Sequence, residues 1–312
     1  MPRPAVRPVL VGACLLAVLA GCATAQDPAP SPSEPSTTTG SPVPDATTPP
    51  GPDTRPTPLH EAVAEGGDEG RATVRLLLAR GADPGATDAE GRTPADLARE
   101  LGHDTLARLL ARADQPLAAP GEALLRAATR GDADTAALAL RAGAPVDVRD
   151  ARRRTPLLLA VIGDRLEVAA LLTRLGADPD AVDDQRDTPW LVTGVTGSVA
   201  MGQLLLPLDP DVTLRNRYGG VSIIPASERG HVAYVRWALQ HTAVDVDHVN
   251  DLGWTALMEA VVLGEGTERW QRVVEVLLRH GADRSIPDRD GVTALAHARA
   301  RGYDEIAALL AG

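Results

Sequence analysis

Seven histidines, 42 acidic residues and no lysine bound the chemistry this sequence can attempt. Every basic side chain is an arginine, so a phosphate-loop lysine, a Schiff base and a kinase lysine are all excluded. No HExxH, GxSxG, CxxC or glycine-rich phosphate loop occurs. Three histidines, His241, His248 and His297, have no carboxylate or cysteine at ligand spacing, so metal binding is not expected. His280 falls in the last turn of a helix, where a cation suits the helix dipole. Asp150, Asp178, Asp183, Asp247, Asp283 and Asp288 lie between helical stretches, where aspartate bonds to its own backbone. They read as turn-makers, not as an acid–base pair. The net charge of −11 opposes binding to nucleic acid or anionic lipid heads. The expectation is no enzyme, no cofactor and no metal.

The elements that would position any site come from one unit, Thr155–Asp178, TPLLLAVIGDRLEVAALLTRLGAD. Thr155 caps a helix that starts at Pro156, since proline has no N–H to leave unpaired there. Leu157, Leu159, Ala160 and Val161 give it an apolar face. Gly163 ends that helix, and a second starts near Arg165 with Leu166, Val168, Ala169, Leu171 and Leu172 at helical spacing. Gly176 supplies a left-handed residue at its end. Such a pair cannot cover its own apolar faces and needs copies beside it.

The same frame starts at Thr57, Thr93, Glu122, Thr155, Thr188, Val221, Thr255 and Thr293, in steps of 36, 29, 33, 33, 33, 34 and 38 residues. TPLHEA at Thr57–Ala62 and the recurring GAD at Gly81, Gly176 and Gly281 resemble the ankyrin-repeat family, across about Pro52 to Gly312. The resemblance implies an all-α repeat solenoid of seven to eight helix–turn–helix units with β-hairpin fingers, stacked side by side in chain order. Fingers and first helices would line a concave binding face. It also makes His60, His103 and His231 structural, because they stand at the histidine positions of the family pattern.

In this family the contact positions are finger tips and first-helix ends. Carried over, they are Arg152 and Arg154 in unit four, Asp184, Gln185 and Asp187 in unit five, and Arg217 and Tyr218 in unit six. Unit seven adds Asp251, Leu252 and Trp254, and unit eight Arg289 and Asp290. Tyr218 and Trp254 stand on neighbouring fingers in a chain with seven aromatic residues, either as an interface pair or as packing over the next finger. Arg152 and Arg154 either bind an acidic partner or pair with Asp183, Asp184 and Asp187 on the next finger. Arg153 takes the place of the finger glycine, which predicts a distorted tip.

The units depart from the frame in four places. Unit one has three extra residues around Gly67–Arg71, expected to lengthen its inter-helix loop. Pro116 and Pro120 crowd the join before unit three, whose finger is expected to be missing or distorted, bending the stack or dividing it near residue 115. Unit seven carries five extra residues in Gly264–Gln271, with Trp270 as either a lid or local packing. Trp190 and Trp237 replace leucines and belong to the core, with Leu171, Leu172, Leu204, Leu205, Leu239, Leu277, Leu278, Leu309 and Leu310. The last unit is expected to cap the stack.

Ahead of the repeats, Arg3 and Arg7 precede the apolar run Val9–Ala20, which is too short to span a bilayer and right for a signal peptide. Leu19-Ala20-Gly21-Cys22 resembles the lipobox of bacterial lipoproteins. That resemblance implies cleavage after residue 21, acylation of Cys22 and anchoring in the cell membrane. Loss of Arg3 and Arg7 with the leader takes the net charge from −11 to −13. Residues 22–53, rich in proline, serine and threonine, read as a disordered tether reaching up to about 90–100 Å. The repeat domain is expected over 54–312. The functional expectation is a monomeric, lipid-anchored, extracytoplasmic module that binds an unidentified protein partner. The alternative is an accessory or chaperone-like subunit supporting an exported enzyme.

Overall fold

The computed structural model describes residues 55–312. The leader, Cys22 and the whole tether region lie outside the described residues. Eight helix pairs follow one another. They are α1 (Pro58–Glu65) with α2 (Gly67–Ala79), α3 (Pro94–Glu100) with α4 (Asp104–Ala111), and α5 (Pro120–Arg130) with α6 (Ala133–Arg141). Next come α7 (Pro156–Ile162) with α8 (Leu166–Thr173), and α9 (Pro189–Thr196) with α10 (Val199–Leu205). The last are α11 (Ile223–Glu228) with α12 (Val232–His241), α13 (Ala256–Val262) with α14 (Glu268–Arg279), and α15 (Ala294–Ala300) with α16 (Asp304–Ala311). Helices start where the threonines stand. The Leu158, Leu191 and Met258 amides donate to the hydroxyls of Thr155, Thr188 and Thr255 at 3.1–3.2 Å.

From unit three onward the pairs stack in chain order, first helix on first helix and second on second. Their shared core includes Leu157, Leu172, Trp190, Met201, Tyr234, Leu257 and Leu277, all essentially sealed from solvent. Leu171, Leu205, Trp237 and Leu310 are buried with them, while Leu204, Leu239, Leu278 and Leu309 are half-buried at the edge.

Units one and two do not continue that stack. α1 packs on α3, but α3 has no substantial contact with α5; instead α2 lies along both α6 and α8. The stack divides at the join marked by Pro116 and Pro120 rather than running side by side through it. The apolar core divides in the same place, Leu59–Ala113 forming one cluster that takes in only Leu138 from beyond the join.

The physical reason lies in two features. Unit three has no finger: Pro116 falls in the connection, Ala119 is left-handed (φ 48°), and α5 starts at Pro120, earlier than the repeat frame sets it. The three extra residues of unit one enter α2 rather than a loop, giving a 13-residue helix. Its Arg75 side chain, only 8% exposed, bonds Asp134 at 2.6 Å and Glu167 at 2.8 Å, and Arg71 bonds Asp134 at 2.5 Å. Burial raises the Asp134 pKa, but Arg71 and Arg75 outweigh it and hold the carboxyl below its ordinary value. Arg141 fastens the other side, donating to the Ala82 and Ala113 carbonyls and pairing with Asp114.

The fingers are hairpin turns, with one isolated bridge, Pro287–Thr293, and no strand among the described residues. Six share one construction, starting at Asp88, Asp150, Asp183, Asn216, Asn250 and Asp288. In each, the amide of the first residue donates to the carbonyl four residues on, at 2.9–3.1 Å. Its side chain accepts from the amides two and four residues ahead, as at Asp150 with Arg152 (2.8 Å) and Arg154 (2.9 Å). Arg153 is not a distortion: it adopts the glycine conformation (φ 61°), as Arg186 does (φ 60°), and its hairpin closes like the rest.

Candidate interaction face

Neighbouring fingers are laced through their backbones. The Asp184 amide donates to the Arg152 carbonyl at 3.1 Å and the Asp251 amide to the Tyr218 carbonyl at 2.8 Å. Histidine does the same work one layer down. His60 Nε2 lies 3.0 Å from the Arg92 carbonyl and His248 Nε2 lies 2.7 Å from that of Gly219; a carbonyl only accepts, so each Nε2 carries the proton. His231 Nε2 donates to the Val195 carbonyl, and burial lowers its pKa in spite of that bond.

The residues singled out from sequence fall into three settings. Arg152, Asp184, Gln185, Asp251, Asp290 and Leu252 are exposed at the tips. Others are occupied within the finger row. Arg154 pairs with Asp150 of its own finger at 2.7 Å rather than with the next finger. The pair that does cross between fingers is Arg217–Asp187, at 3.6 Å. Burial, with Asp183 adding to it, raises the Asp187 pKa. Arg289 donates to the Asp251 carbonyl.

The third setting is aromatic. Tyr218 is 51% exposed with the Arg217 guanidinium 4.5 Å above its ring. Trp254 is half-buried against the core. Of the two, Tyr218 alone faces outward.

Beneath Tyr218 lies a groove that no sequence motif marks. It lies between fingers six and seven, measures about 220 Å³, and is lined by Tyr218, Leu252, Leu263, Ile224, Pro225, Gly220, Asn216, Asn250, Glu228 and Glu259. Tyr218, Leu252 and Leu263 are among the most exposed large apolar side chains described (47–51%). Glu259, 4% exposed, accepts from Asn250 Nδ2 at 2.8 Å. Burial, the nearby Glu228 charge and only partial relief from Asn250 and Arg229 push its pKa up to about 7.

A signal for this site does exist in the sequence. In units seven and eight the residue that starts the finger bonds to the one nine places on, Asn250 to Glu259 and Asp288 to His297. The same two positions in unit four hold Asp150 and Leu159. His297 therefore has a carboxylate partner after all: its Nε2 lies 2.7 Å from Asp288 Oδ2. Trp270 is no lid. It is buried in α14, seated against Gly230 and Gly264, and donates to the Glu228 carbonyl at 3.0 Å.

Paired helices with hairpin fingers and an open groove between finger and first helix define a helical-repeat scaffold whose chemistry is recognition. Models of the ankyrin repeat match residues 57–89, 152–184 and 252–289, and a model for ankyrin repeats in many copies matches 225–264. The ankyrin repeat protein YahD of Escherichia coli (strain K12) is 36% identical over 191 residues, 61% of this chain and 94% of YahD. An ankyrin repeat domain from Acinetobacter baumannii AYE is 41% identical and superposes with a TM-score of 0.57, covering 60% of this chain and 95% of that domain. The ankyrin repeat protein EF0377 is 39% identical with a TM-score of 0.59, covering 61% and 97%. This chain belongs to the ankyrin-repeat family. Members of such families are typically non-enzymatic interaction modules.

Proposed function

We propose that this chain is a protein-binding module held at the outer face of a cell membrane by a lipidated Cys22, its repeats presented on the proline-rich tether. The observation that carries the binding reading is the exposed trio of Tyr218, Leu252 and Leu263 around one groove on the finger side. Apolar side chains exposed together beside a buried polar floor suit a protein interface. The anchoring half rests on the sequence Leu19-Ala20-Gly21-Cys22 behind a short apolar run.

Capture of partners from an envelope extract tests the first half. The double variant Tyr218→Ala, Leu252→Ala alters only exposed side chains and should lose the partner while keeping the wild-type circular dichroism. Undiminished capture would refute the proposed face. For the second half, Cys22→Ser should move the protein from the membrane fraction to the soluble one; unchanged fractionation would remove the anchor.

A further inference from the structure

The groove between fingers six and seven contains a carboxylate with no ion-pair partner among the described residues, Arg229 being engaged by Glu228. Glu259 is 4% exposed and lines the groove. One of its oxygens accepts from the Asn250 amide, and the other has no hydrogen-bond partner among the described residues. Glu228, at the same groove, is already paired with Arg229 at 2.8 Å. Burying an unpaired carboxylate is unfavourable, and a chain selected for stability alone would place an apolar residue there, as the corresponding Leu159 does. Asn250 strengthens the case. Four of the six fingers start with aspartate; this one, like the finger at Asn216, starts with asparagine, whose amide here holds the carboxylate in place without a charge of its own.

The walls have a complementary character. Tyr218, Leu252, Leu263, Ile224 and Pro225 are apolar, and the volume of about 220 Å³ is below the ~300–1,000 Å³ usual for small-molecule sites. That space suits one long side chain with an aliphatic stem and a charged end.

Resting on the reading of this face as a protein interface, we propose that the groove receives a lysine or arginine side chain of an extended partner segment. Glu259 is its counter-ion, and Tyr218, Leu252 and Leu263 pack along its stem. The charged end displaces the proton that Glu259 otherwise shares, so the contact strengthens as pH rises. The groups facing Glu259 are Asn250 from the finger, and Glu228 and Arg229 from the end of α11. The Glu228–Arg229 pair leaves Glu259 as the group that responds.

The test uses the purified full chain and three capped tripeptides: acetyl-Leu-Arg-Leu-amide, acetyl-Leu-Lys-Leu-amide and the neutral citrulline counterpart of the first. NMR titration at pH 8 should show one of the two cationic peptides binding at least about tenfold more tightly than the citrulline peptide. Glu259→Gln, which keeps the Asn250 hydrogen bond, should reduce that preference to within about twofold. Leu263→Ala, at an exposed site, should weaken all three peptides alike. Equal affinity for charged and neutral peptides, no binding of any of them, or an unchanged preference in Glu259→Gln would overturn the proposal. Envelope capture separates this from failure of the wider reading. A partner lost by Tyr218→Ala, Leu252→Ala but held with full affinity by Glu259→Gln overturns the basic-anchor proposal alone. A partner held by both variants overturns the interface itself.

Discussion

Asn250 donates to Glu259 across 2.8 Å, and one unit later the same two positions are Asp288 and His297 at 2.7 Å. In both units a finger is tied by its first residue to the middle of the helix it precedes. In unit seven the tie involves a buried acid at the floor of an open groove.

Stability should depend on pH through Glu259. Its folded pKa, about 7, is above its ordinary value of 4.5, so the folded state holds the extra proton between those values. The neutral form is fully in place below pH 4.5, and stability falls as pH rises through the window to about 7. Glu259→Gln should match the wild type near pH 4.5 and exceed it by up to about 3 kcal/mol at pH 8. Urea denaturation at several pH values checks this; a constant difference between the two proteins would contradict it.

The arginine junction between α2 and the second block should be separately breakable. Asp134→Asn leaves Arg75 and Arg71 without their main partner and should cost about 2–3 kcal/mol, discounted for partial exposure. All four tryptophans, Trp190, Trp237, Trp254 and Trp270, lie in units five to seven. Far-UV ellipticity in the variant should therefore fall before tryptophan fluorescence changes. Coincident curves would show that the junction does not couple the blocks in this way.

Leu171→Ala should destabilise by about 2–3 kcal/mol, low in the usual ~2–5 range because an open cleft adjoins the site. That cleft, of about 290 Å³, lies between α2 and α8 and is lined by Leu171, Leu76 and Ala170. The loss should loosen α2 as well as the neighbouring units, seen as faster amide exchange in residues 67–79. Unchanged exchange there would contradict the packing.

Gly194 has no room for a side chain: a Cβ would stand 1.9 Å from the Ser222 carbonyl oxygen. Gly194→Ala forces α9 and unit six apart and should cost about 1–3 kcal/mol. At the finger tip the sign reverses. Arg186 occupies a left-handed conformation, so Arg186→Gly should stabilise by up to about 1 kcal/mol. Thermal unfolding of the two variants reads both effects; shifts in the same direction would contradict the account.

The helix pairs were legible because Thr-Pro starts and apolar spacing are local signals, and these set most helix boundaries within the repeats. Pro116 and Pro120 mark where the stack divides, but how the two parts meet was not legible: nothing local reveals that α2 will pack on α6 and α8. The contact of α2 with α6 and α8 depends on Arg71, Arg75 and Leu76, which in sequence pass for the ordinary polar and edge positions of a repeat helix. Residues 67–71 read as a loop because of Gly67 and Gly70. Asp68 and Glu69 favour the positive end of a helix dipole, and α2 starts there. Of the site, Tyr218 and Leu252 were visible as tip residues. Glu259 was hidden inside the apolar run ALMEAVV, and only its facing position to Asn250 gives it meaning.

The most direct test of the binding face is site-specific photo-crosslinking in intact envelopes, with a benzophenone side chain at position 252 beside the groove and, in parallel, at position 275 on α14. The account predicts a discrete crosslinked partner from position 252 and none from position 275. A partner trapped from 275 and never from 252 would contradict it.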